Sequence, residues 1–137
     1  MSTKSSTPKV TIKNNFVTKA LAHLNKSDAQ KQEEEVMKFV NRSIIATNTQ
    51  IGQIKTSVIP TLELELAELN NGLNDAKEAF ETTRYQVSSS YENYIQSRQR
   101  ALNEITTWEN KISSKEAQIK DANNKLNFFE EVLKDLN

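Results

Sequence analysis

The sequence predicts an all-α protein: an elongated helical bundle or coiled coil of long helices, with a short helix near its N-terminus. Three observations carry this. Apolar residues recur in steps of three and four along most of the chain, which places one seam on one face of each helix. Only two glycines and two prolines punctuate 137 residues, too few for a sheet-and-turn architecture. Three stretches match the Ser-x-x-Glu/Gln pattern of a helical capping box, at Ser27, Ser89 and Ser113.

The expected organisation is a flexible tail over 1–13 and a single helical domain over 14–137. Residues 1–8 hold no internal apolar anchor, and Val10 with Ile12 suggests a short extended stretch. Asn14 or Asn15 can cap a short helix over 15–25, with Phe16, Val17, Ala20, Leu21 and Leu24 on one side. Alone, so short a helix is marginal, so it must dock. Ser27-Asp28-Ala29-Gln30 then opens a long segment, about 28–58. Glu33, Glu34 and Glu35 favour the positive end of its dipole. Its seam reads Met37, Val40, Ile44, Thr47, Ile51, Ile54 and Val58.

The phase slips between Val58 and Leu66, and Pro60 lies at the slip. Proline lacks the helical donor and pushes Ile59 away from helical angles, so a break or kink is expected at 58–61. The next segment, about 61–87, has the seam Leu62, Leu66, Leu69, Leu73, Ala76, Phe80, Thr83 and Val87. Asn70-Asn71-Gly72 resembles a turn, but the phase runs through it, so it reads as an exposed weak spot in a helix. A second slip, from Val87 to Tyr91, coincides with Ser88-Ser89-Ser90. A turn capped by Ser89-Ser90-Tyr91-Glu92 and a stutter in a continuous helix both explain it.

The last segment, about 90–136, has the longest seam: Tyr91, Tyr94, Arg98, Ala101, Ile105, Trp108, Ile112, then Ile119, Ala122, Leu126, Phe129, Leu133 and Leu136. Only Lys115 interrupts its apolar run beyond Ile105. With Ile105 at position a, the d layer is Trp, Lys, Ala, Phe and Leu. So irregular a layer fits another helix with complementary relief better than a copy of itself. Lys111 and Lys125 at g, with Glu116 and Glu130 at e, would suit a parallel homodimer. Such exposed pairs contribute about 0.2–1 kcal/mol each. A buried seam side chain contributes roughly 1.5–3 kcal/mol. The core contribution favours a bundle within one chain, and a parallel oligomer stays open.

The residues hold little chemistry. Without cysteine there are no disulfides, thiolates or common zinc sites. His23 is the only histidine and reads as a surface or helix-end residue. The acidic runs lack the Glu-x-x-His pairs of helical di-iron sites. Neither a catalytic, cofactor nor metal site is expected, and no small-molecule substrate. Eighteen basic residues balance eighteen acidic ones, so no net field attracts nucleic acid. No apolar run suggests a signal peptide or membrane span, so a soluble location is expected, cytoplasmic or packaged in a virion.

Contact with proteins, either itself or other components of an assembly, is therefore the expected business of the chain. The candidate partner-binding residues are Phe16, Val17, Leu21 and Leu24 in the first helix. Phe128, Phe129, Val132, Leu133 and Leu136 form the second group, where the last stripe widens. Two long helical arms resemble the layout of prefoldin-type chaperones, although no hairpin signal separates them here. The Asn-, Lys- and Thr-rich, cysteine-free make-up is similar to that of many small phage virion components. The sequence thus predicts a non-enzymatic structural or assembly protein. The alternative is a small helical chaperone or adaptor that holds a client between its arms.

Overall fold

The computed structural model describes residues 14–23 and 29–137. The expected tail, Leu24 and the capping residues Ser27 and Asp28 lie outside the described residues. The fold class is all-α, with no strand among the described residues. Helix α1 spans Asn15–Ala22, α2 spans Ala29–Gln53, α3 spans Ile59–Thr83 and α4 spans Tyr91–Leu136. The chain divides into two compact units, residues 1–55 with 124–137, and residues 56–123.

In the first unit, α1 begins at an Asn14 cap. The Asn14 side chain accepts hydrogen bonds from the amides of Phe16 (2.8 Å) and Val17 (3.3 Å). Two turns cannot hold a helix alone, and burial makes up the difference: Val17 is 0% exposed. The α2 seam is the expected one, with Val40, Thr47 and Ile54 buried and Met37, Ile44 and Ile51 half-buried. Thr47 is tolerated there because its Oγ1 donates to the Ser43 carbonyl at 2.7 Å. From the far end of α4, Leu136 is buried in the same unit, and Glu130 pairs with Lys55 at 3.6 Å.

The interruption expected at Pro60 takes a different form. The backbone remains helical from Ala29 to Thr83, with a π-helical segment at Ile54–Val58. A π turn inserts one residue into the helical phase. The seam accordingly steps five residues, from buried Ile54 to half-buried Ile59, then resumes at Leu62 and Leu66. Val58, an expected seam residue, is left exposed. Pro60 falls in the first turn of α3, where its missing N–H is tolerated.

In the second unit, α3 and the first part of α4 form an antiparallel hairpin. Its register is written by cross-helix contacts: Glu65 with Lys115, Gly72 with Trp108, and Thr83 with Arg98. Each step up α3 is matched to within one residue by a step down α4, so one register satisfies all three. Lys115, which interrupts the apolar row, has a side chain only 19% exposed and reaches Glu65 at 3.2 Å. Arg98 at the seam stacks 4.3 Å above the Phe80 ring and donates to Thr83 Oγ1 at 3.3 Å. Its stem fills core space while its cation meets a π face and a hydroxyl.

The slip at the serines is a turn. Helix α3 ends at Thr83, earlier than the sequence suggests, and Val87 and Tyr91 are exposed rather than on the seam. The cap of α4 is Ser90, one residue later than expected. Its Oγ accepts from the Asn93 amide at 3.1 Å, while Asn93 Nδ2 donates to Ser89 Oγ at 2.6 Å. The reciprocal bond expected from the Glu92 side chain is thus replaced by a side-chain bond from Asn93 to the Ser89 hydroxyl.

Gly72 is no exposed weak spot: it is half-buried beneath Trp108. A Cβ there would lie 2.6 Å from Trp108 Cη2 and 2.7 Å from Cε3, closer than side-chain carbons tolerate. At Gly52, by contrast, an added Cβ meets nothing within 4 Å. Relief of backbone entropy should make Gly52→Ala more stable by about 0.5–1 kcal/mol. Gly72→Ala should instead lose up to about 2 kcal/mol, because overpacking costs about 1–3 kcal/mol and outweighs the same entropic gain. Urea melts of both variants check this: the midpoints should move in opposite directions, and a shared upward shift would refute the close Trp108 contact.

Candidate functional site

The two groups of residues singled out by the sequence fall in the same unit. Asn14 Nδ2 donates to the Leu136 carbonyl, which ties the start of α1 to the last turn of α4. That carbonyl is one of the acceptors a helix leaves unpaired at its C-terminus, so the bond satisfies a group that would otherwise need water. Asp135 also borders a hollow with Asn15, Phe16, Lys19, Ala20 and His23. Val17 and Leu136 are buried, and Leu21, Phe129, Val132 and Leu133 are half-buried. Much of the candidate surface is therefore covered within the unit. Phe128 is the exception at 62% exposure, with its ring edge-on to Phe129 at a centroid distance of 5.5 Å. Leu24 lies outside the described residues.

Phe16 leads to a surface that seam analysis alone did not identify. It stacks on Phe39 of α2, with ring centroids 5.9 Å apart and planes inclined by 26°. The two rings, with Ala20 and Val36, wall an open groove of about 550 Å³ between α1 and α2. Lys31, Gln32 and Glu35 form the rest of its lining. Phe39 stays 51% exposed, although it is large, aromatic and packed on one side. The signal was present in the sequence: Val36-Met37-Lys38-Phe39-Val40 holds more apolar residues than one seam needs. Only Met37 and Val40 were assigned to the core, so the surplus residues mark the open face.

His23 is exposed at the C-terminal cap of α1, where its backbone N–H turns back to the Ala20 and Leu21 carbonyls. Among the described residues, no group of three or more His, Cys, Asp or Glu side chains could hold a metal ion. Among them, too, no helix is long and apolar enough to cross a membrane. Three of the four charges that would serve a parallel homodimer have partners within the chain: Lys111 lies 4.6 Å from the Trp108 ring centroid, and Glu130 pairs with Lys55. Lys125 also has an interaction partner.

Asn14 performs two separable tasks, and substitution should distinguish them. Asn14→Ala should lose the helix cap, at about 1 kcal/mol, together with the hydrogen bond to Leu136, at about 0.5–1.5 kcal/mol. Asn14→Asp keeps the capping oxygen but sets a carboxylate against the negative end of α4, so it should destabilise α1 as well. Amide hydrogen exchange of α1 reads both effects. Full protection in Asn14→Asp would show that the bond to Leu136 contributes nothing.

No family model, no curated protein and no solved structure matches this chain.

Proposed function

We propose that this chain is a non-enzymatic structural or assembly protein that works through helix-to-helix contacts inside a larger complex, a small phage virion or packaged protein being one specific form. The open apolar groove walled by Phe16, Ala20, Val36 and Phe39 carries this reading. Fully burying a phenylalanine side chain is worth roughly 1.5–3 kcal/mol, so leaving Phe39 half in water favours a covering partner. An amphipathic segment laid in a groove between two helices is a recurrent way of supplying that cover. Phe128, exposed in the same unit, adds a second apolar contact point. The chain's composition, similar to that of small virion components, supports the more specific form by analogy alone.

A client held between the arms of the second unit has less support. Trp108 closes on Gly72, and Arg98 with Phe80 fills the space nearer the turn. The arms of that unit are occupied with each other.

Light scattering coupled to size exclusion, on protein isolated from its native source, tests the proposal. A discrete complex of fixed stoichiometry is expected. Phe39→Asp should weaken it by at least about 2 kcal/mol, or roughly thirty-fold in affinity, while circular dichroism stays unchanged. Phe129→Asp and Leu133→Asp are poor probes, because both residues are half-buried and their loss would disturb folding. A monodisperse monomer that carries nothing with it would overturn the reading.

A further inference from the structure

We infer that the groove between α1 and α2 receives this chain's own N-terminal segment, with Val10 and Ile12 seated against Phe16, Val36 and Phe39. The inference rests on reading the groove as a docking surface and names its occupant in the free protein. The place where the described chain begins supports it. Asn14 has extended backbone angles, φ −74° and ψ 122°, and Phe16, two residues on, already lines the groove. The described chain therefore begins two residues from the groove's lining. Ile12 precedes Phe16 by four residues, a reach of about 13 Å when extended, and thirteen residues could span about 40 Å.

The composition of the segment fits the surface. Beyond Met1, its apolar side chains other than Pro8 are Val10 and Ile12. Their i, i+2 spacing puts both on one face of an extended chain, and both are β-branched. Lys4, Lys9 and Lys13 flank them, with no acidic residue in the segment. On α2, the charged residues of the lining are Glu35, which would attract these lysines, and Lys31, which would oppose them, with Glu33 and Glu34 adjacent in sequence. Tethering supplies the remainder: a covalently attached segment meets its site at an effective concentration in the millimolar range, so two apolar anchors suffice. An incoming partner would have to displace this segment, which makes it a competitor built into the chain.

The natural absence of cysteine gives a clean test, because two introduced thiols are the only ones. Full-length Ile12→Cys/Val36→Cys is oxidised at low micromolar concentration and compared with Ile12→Cys/Asn41→Cys. Asn41 is exposed on α2 and is not part of the groove. An intramolecular disulfide, seen as a monomeric species lighter by two hydrogens, is expected at about ten-fold or greater yield in the first pair. Gln32→Cys replaces Val36→Cys should circular dichroism show lost helix. Equal yields in both pairs would overturn the inference. So would a product that is mainly intermolecular, which would assign the groove to the segment of a second copy. The proposed function can fail separately: if the disulfide forms but Phe39→Asp leaves the native complex intact, self-occupancy stands and assembly through the groove does not. If no disulfide forms yet the complex requires Phe39, the reverse holds.

Discussion

Helix α4 presents one apolar row from Tyr94 to Leu136, and no helix can leave such a row in water. Within each unit, neighbouring helices meet the stretch of that row which the unit contains. In the second unit α3 returns antiparallel along it. In the first unit the last turns share their core with α1 and α2.

An apolar seam alone would tolerate several registers, and three interruptions in it select one. Trp108 needs a position without a side chain opposite it, and Gly72 is that position. Lys115 needs an acid within reach, and Glu65 supplies it. Arg98 needs a π face and a hydroxyl, and Phe80 and Thr83 supply both. Sliding the helices by one turn would put the Trp108 ring against a side chain and strand two cations. Features that look like defects in each helix read singly are what specify the pair.

The first unit has the opposite character. Its short helix is held by one cap, one buried valine and a hydrogen bond to the end of α4, and its two phenylalanine rings stack without closing over. The hairpin packs Trp108 and Phe80 between its helices, whereas this unit leaves Phe39 and Phe128 facing outward. Little core has to be disturbed when apolar surface beside so lightly held a helix is covered or uncovered.

The sequence by itself determined the helical class, most of the seams of α2, α3 and α4, and a phase slip at the serines, which the structure makes a turn. All follow from the period of apolar residues, a local property of each helix. It also brought Phe16, Val17, Leu136 and Phe128 to notice as surplus apolar surface. Tertiary structure decided what covers what. It turned the slip at Pro60 into a π segment, because one inserted residue moves Ile59 onto the seam and Val58 off it. It gave Gly72 its meaning only when Trp108 arrived from thirty-six residues away. It buried Val17 and Leu136 in the same unit while leaving Phe39 half in water. Periodicity says that a helix face is apolar, but only the position of the neighbouring helix says how wide a part of that face is covered.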